Sequence, residues 1–377
     1  NQVAAQQSNT YSLQAIRTDT QTGQCVNVFP NGSQANIDFA AECLNPNSCA
    51  GLQASITNNG NTNSIATSND NGGAYAASYS TFNNMLFGVD SKASFTFNYP
   101  DVGAISLHAR YQILNDDTTP CGQFMLGSSN TFIVRPADFV ITTVDAGATV
   151  NPATTNAGIG FVASGDPFRV IVEARNTLGN VTPNYGNEST PETIEIDLDS
   201  IVFPAAGSLG ALTNPGAFSS TGSAGEFENT TATWNEVGTI TVVASVGDGD
   251  YLGVGDVIST TPISIGRFYP AYFALQSSSV VNSCSSGGFS YFSDSNITVS
   301  YELSAKNRAG TTVINFDNTD LSYPAATLIH HGENNNAGIN FYSRITVNSA
   351  LWDDGDLLLV DTGANLSRAV DGSFNIV

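Results

Sequence analysis

Three stretches of this chain return further along it at nearly constant spacing. Tyr99-Pro-Asp-Val-Gly-Ala-Ile-Ser-Leu-His-Ala109 reappears as Trp234-Asn-Glu-Val-Gly-Thr-Ile-Thr-Val-Val-Ala244, 135 residues on. Pro136-Ala-Asp-Phe-Val-Ile141 reappears as Pro270-Ala-Tyr-Phe-Ala-Leu275, 134 residues on. Ala174-Arg-Asn176, followed by Gly179 and Asn184-Tyr185, reappears as Ala305-Lys-Asn307, Gly310 and Asn315-Phe316, 131 residues on. A shared period of about one β-sandwich means tandem copies of one unit, so the fold must be an array.

The unit is a β-sandwich. Apolar and polar residues alternate in Phe95-Thr-Phe97, Ile105-Ser-Leu107, Phe168-Arg-Val-Ile-Val172, Ile194-Glu-Ile196, Ile240-Thr-Val242 and Ile263-Ser-Ile265. This is the period of a strand with one buried face. Clusters such as Asn58-Asn-Gly60 and Gly247-Asp-Gly-Asp250 separate the runs as turns. The fold class expected is all-β, with tandem immunoglobulin-like sandwiches over residues 1–135, 136–269 and 270–377. The acidic-x-Gly elements Asp101-Val-Gly103 and Glu236-Val-Gly238 read as tight corners before a central strand, where a glycine with φ > 0 is wanted. Trp352-Asp-Asp-Gly355 reads as their third copy, one residue shorter. Tyr99, Trp234 and Trp352 are expected to plug the cores. The Pro136 and Pro270 junctions are short and limit bending, which implies a semi-rigid rod.

Composition narrows the function. Eleven Lys and Arg stand against 33 Asp and Glu, a formal charge of −22. Nucleic acid and anionic membranes both need basic patches, so neither is an expected partner. No apolar run reaches the length of a membrane helix. An apolar fraction of 41% with only 12% charged residues fits folded domains with an uncharged polar exterior, as in secreted bacterial surface proteins. The chain is expected to be a piece of a longer protein.

Four of the five cysteines, Cys25, Cys43, Cys49 and Cys121, lie in the first unit and suggest two disulfides. Of the three possible pairings, Cys25–Cys121 joins two loops placed at one end of the sandwich, leaving Cys43–Cys49 to close a short loop. Cys284 is then unpaired. A zinc site would need CxxC or nearby histidines, and neither is present. His108 reads as an outward strand residue, and His330-His331 as a polar turn. No Gly-x-Ser-x-Gly nucleophile motif occurs, so no catalytic residue is assigned and the chain reads as non-enzymatic. Asp248 and Asp250 offer oxygen ligands at alternating positions and are the first candidates for calcium; Asp353–Asp356 and Asn69–Gly72 are weaker ones. Solvated turns favour the same residues for backbone reasons.

Phe132-Ile-Val-Arg-Pro-Ala-Asp-Phe139, Trp234-Asn-Glu-Val-Gly238, Asp250-Tyr-Leu-Gly253 and Gly266-Arg-Phe-Tyr-Pro-Ala-Tyr-Phe273 go beyond generic sandwich patterning. Together they resemble the C-terminal region of MshQ-type mannose-sensitive haemagglutinin pilus biogenesis proteins, over nearly the whole chain. The resemblance implies an extracellular place on a type IV pilus or bacterial cell surface, with pilus or surface proteins as partners. It supplies no catalytic residues. The leading expectation is a structural, adhesive stalk presenting a distal binding domain. The alternatives are a glycan- or subunit-binding unit acting through loops of the first sandwich, with the insert 45–88 as its surface, and an accessory region of a secreted hydrolase.

Overall fold

The alternation in the sequence becomes burial in a computed structural model that describes residues 1–48, 52–68, 78–115, 119–284, 286, 288–291, 293–324, 328 and 345–367. In the strand Phe168–Arg175, Phe168, Val170, Val172 and Ala174 are buried and the residues between them are half-exposed. Apart from the single 3-10 turn Val89–Ser91, the described regular elements are strands, and the fold is all-β, as expected.

The first sandwich sets a seven-stranded sheet against a four-stranded one. The larger runs in the order Gln2–Val3, Phe132–Arg135, Gly103–Asn115, Gln34–Asn45 and Ala66–Ser68, with Thr119–Ser128 and Ser80–Leu86 added at its flanks. The smaller contains Tyr11–Gln14, Lys92–Asn98, Ser55–Asn58 and Asn61–Ser64. The second sandwich packs a six-stranded sheet built on Asp138–Ala146, Phe168–Arg175 and Glu226–Trp234 against Ile194–Phe203, Gly238–Val246 and Ile263–Phe268. The third contributes one described sheet, in the order Tyr272–Val281, Ile297–Lys306, Asp356–Leu366 and Ile345–Thr346.

The 135-residue repeat is structural. Tyr99 and Trp234 are both fully buried, and Gly103 and Gly238 both open the strand that follows, with φ of 132° and 122°. Each glycine lies against a backbone carbonyl, that of Asn45 or of Phe203. A methyl group at either position would meet that carbonyl on a backbone that L side chains rarely adopt.

Trp352-Asp-Asp-Gly355 is not the third copy of this corner. The strand after Gly355 pairs with Ile297–Lys306, as Glu226–Trp234, the strand that precedes the corner, pairs with Phe168–Arg175. Ala305 N donates to Gly355 O at 2.7 Å, as Ala174 N donates to Gly225 O at 3.1 Å. The side-chain spaces at both glycines are closed by matched residues, Thr312 and Val313 at one and Val181 and Thr182 at the other. Gly355 therefore repeats Gly225. Trp352 is buried as expected, but against Phe316 and Phe273, at ring-centroid distances of 4.9 and 5.1 Å, whereas Trp234 packs on Phe268. An Asp-Asp-Gly turn after a tryptophan mimics the corner in sequence, and only strand pairing separates the two.

The expected Cys25–Cys121 bridge is not formed; both are free thiols, as is Cys284. Cys25 sits on the small hairpin Ile16–Thr18/Cys25–Asn27, and Cys121 on the separate strand Thr119–Ser128 that extends the seven-stranded sheet. The sequence reading placed Cys121 in a loop at the hairpin's end of the sandwich. Cys43 is disulfide-bonded, and Cys49 lies outside the described residues.

Substituting Gly238→Ala should lower stability by about 2–4 kcal/mol through the steric clash. Gly249→Ala, at a positive φ of 74° but in open space, should cost about 1 kcal/mol. Chemical denaturation of the two variants tests the difference.

Candidate functional site: the joints between sandwiches

The repeated acids are buried where one sandwich meets the next. Asp101 Oδ1 accepts from its neighbour Val102 N at 2.9 Å and, across the joint, from Asn184 N at 3.1 Å. Asn184 Nδ2 donates back to Tyr99 Oη at 3.0 Å and to Val102 O at 3.3 Å. Asn176 Nδ2 donates to Pro100 O at 2.9 Å, while its Oδ1 holds its own turn through Leu178 N and Asn180 N.

The second joint repeats this arrangement. Glu236 Oε2 accepts from Asn315 N and its Oε1 from Ile314 N, both at 3.2 Å. Asn315 Nδ2 donates to Val237 O at 3.2 Å and to Ser208 O at 2.8 Å. Asn307 Nδ2 donates to Asn235 O at 3.1 Å. The asparagines are those of the 131-residue repeat and the acids those of the 135-residue repeat, so the two sequence repeats meet in space. Val102 and Val237, beside the acids, are fully buried. Tyr323 Oη donates to Phe268 O at 2.9 Å, and Arg308 forms an ion pair with Asp166, adding to the second joint.

Burial raises the Asp101 carboxyl to about 6, against hydrogen bonds from Asn184 and Val102 that favour the charged form. Burial likewise pushes Glu236 above the ordinary carboxylate range.

At the matching position the first sandwich has no asparagine. Thr182 N bonds Ala174 O and Val313 N bonds Ala305 O, each two residues before the joint asparagine. In the first sandwich Val28 N bonds Ala15 O in the same way, and two residues on stands Pro30.

The residues singled out in the sequence fall elsewhere. Asp248 and Asp250 are exposed and organise their own loop: Asp248 Oδ1 accepts from Asp250 N at 3.0 Å, and Asp250 Oδ1 from Gly255 N at 2.6 Å. Among the described residues, the three acids whose ligand atoms lie within 4.8 Å of one another are Asp317, Asp353 and Asp354. The Oδ1 of Asp317 already takes Thr319 N, Thr319 Oγ1 and Asp320 N. His108 is not simply outward: its Nε2 lies 2.8 Å from Glu42 Oε2 and 3.1 Å from Ser106 Oγ. Both partners use one ring nitrogen, whereas a catalytic relay needs acid and nucleophile on opposite nitrogens. Residues 69–72 lie outside the described residues, as do His330 and His331. No helix among the described residues is long and apolar enough to cross a membrane.

Three family profiles cover almost the whole sequence: the first Ig-like domain of DUF6701, a domain of unknown function, over residues 1–128, its second domain over 135–230 and its third over 236–375. The chain belongs to the DUF6701 family. The family's division between second and third domains runs through the second sandwich, since Gly238–Val246 pairs with Ile194–Phe203. No curated protein matches the chain. Among solved structures it is similar to invasin, a bacterial integrin-binding protein, at 11% identity and a TM-score of 0.29. That alignment covers 96% of this chain and 52% of the invasin chain, so the chain spans about half the length of the structure it matches.

Asn315→Ala removes bonds to both Ser208 and Val237 and leaves buried groups unpaired. It should destabilise the second joint by on the order of 2 kcal/mol, read as a lower melting temperature and faster proteolysis at residues 265–275. Asn214→Gly, which keeps the positive φ of 57° and loses one exposed bond to Thr231 O, should do neither.

Proposed function

We propose that this chain is a non-catalytic, rigid stalk segment of a bacterial surface protein, carrying a distal binding domain away from its anchor. The observation that carries this reading is the repeated joint. A loosely tethered array has little reason to bury an acid and two asparagines at each junction, since a buried polar group costs free energy unless it is bonded. Here both junctions share three bonds, from the asparagine N to the acid, from its side-chain amide to the valine carbonyl beside the acid, and from Asn176 or Asn307 to the carbonyl of the residue before the acid, which fixes the angle between neighbours. The geometry around His108 supports a non-catalytic reading, because Ser106 and Glu42 compete for one nitrogen. The phrases shared with MshQ-type proteins favour a type IV pilus as the setting.

Small-angle scattering of the intact chain tests the stalk. An elongated particle is expected, with a distance distribution unchanged by salt because the joint contacts are buried. The double variant Asn184→Ala/Asn315→Ala should broaden that distribution. A compact or flexible wild-type chain would overturn the reading.

A second reading rests on Pro30. With Pro30 in place of the asparagine, that end of the first sandwich does not receive an acid turn as the other two sandwiches do, and it suits a glycan or a protein subunit instead. Glycan-array binding by the intact chain, lost on replacing residues 16–33 with a short Gly-Ser loop, would favour it.

A further inference from the structure

The two joints differ in one respect that their shared plan does not require. In the first, two buried side-chain oxygens accept no hydrogen bond: Asp101 Oδ2 and Asn184 Oδ1. They belong to residues already in contact, with Asn184 N on Asp101 Oδ1. The donors of Asn184 are committed, its Nδ2 to Tyr99 Oη and Val102 O. The first joint thus holds two bare acceptors. In the second joint the acid is one methylene longer. Glu236 reaches Ile314 N with one oxygen and Asn315 N and Val237 N with the other, and Asn315 Oδ1 takes Ser208 N at 2.7 Å.

The groups around Asp101 do not compensate it with positive charge. On its own sandwich the titratable neighbour is Tyr99, whose hydroxyl lies 3.9 Å from the Sγ of the disulfide-bonded Cys43. From the second sandwich the charged group acting on Asp101 is Glu188, another carboxylate. Glu188 is itself held by Tyr251 Oη at 2.9 Å and by Glu192 N at 3.2 Å. The arginines in ion pairs have other partners: Arg110 with Asp38, Arg169 with Asp145 and Glu228, Arg175 with Glu173, and Arg308 with Asp166.

We propose that the joint between the first two sandwiches is a proton-operated latch, in which a proton taken up on Asp101 Oδ2 removes a buried charge, supplies the donor this joint lacks, and tightens the contact with Asn184. The inference rests on the stalk reading and adds a condition to it: the array is stiffer at its first joint in mildly acid surroundings than in alkaline ones. The titration of Asp101 agrees in sign. Its folded value, about 6, lies above that of a free aspartate, so its contribution to stability is complete below about pH 4 and is lost as pH rises through about 6.

Two measurements decide the matter on the intact chain. Carbon-13 carboxyl NMR should show Asp101 titrating near pH 6; a midpoint below about 4, the free value, would overturn the proposal. Asp101→Asn keeps the Oδ1 acceptor and places a permanent donor where the proton would sit. Its melting temperature at about pH 8 should exceed that of the wild type, and it should gain less on acidification to about pH 5. A variant less stable than wild type at about pH 8, or one with the wild-type pH slope, would refute the latch. If the variant does not fold, the wild-type titration still decides. Scattering at about pH 5, where the latch holds the first joint closed, separately tests the stalk: flexibility there would refute the rigid array and leave the Asp101 titration to be judged by itself.

Discussion

The contact on which this architecture depends is a buried carboxylate receiving backbone N–H groups from the next sandwich. Apolar packing runs from one sandwich into the next, but hydrophobic burial alone would tolerate a range of angles between neighbours because it is non-directional. Hydrogen bonds to a buried acid are directional, and leaving them unmade costs the full desolvation of the charge. The asparagine completes the joint by returning its side-chain amide to the carbonyl beside the acid. The glycine two residues after the acid lets the corner press against the carbonyl of Asn45 or Phe203. Acid, valine, glycine and asparagine therefore act as one unit, repeated at the two joints.

The joints tie the fold to the proposed role. A stalk must carry load and hold direction, and both depend on the junctions more than on the sandwiches. The first interior runs from Ala4 to Phe268 as one continuous set of buried residues spanning two sandwiches. Val237 of the second sandwich belongs to the buried cluster of the third. The apolar packing thus crosses both junctions, and the polar bonds at each set its angle.

Misreadings of the sequence had a common cause. Trp352-Asp-Asp-Gly355 carries the residue types of the acid corner but repeats the turn at Gly225, because turn chemistry recurs wherever a chain reverses and does not record which strands it joins. The cysteine pairing depended on placing Cys121 in a loop, whereas it lies on an added strand. Phe139 and Phe273 occupy matching positions in the repeat, yet the first is 1% exposed and the second 42%. Exposure depends on what lies across the sheet, which local pattern does not encode.

By itself the sequence determined the all-β class, the tandem period, most strands of the second sandwich and the burial of Tyr99, Trp234 and Trp352. These follow from alternation and residue size, which act over a few neighbouring residues. It also displayed both halves of the joint, as two repeats with slightly different periods. What it could not show is that they touch. Asp101 and Asn184 are 83 residues apart, and Glu236 and Asn315 are 79 apart. Their meeting depends on how successive sandwiches stack end to end. Only the tertiary structure decided that, and with it the burial that turns an ordinary turn aspartate into the centre of a joint.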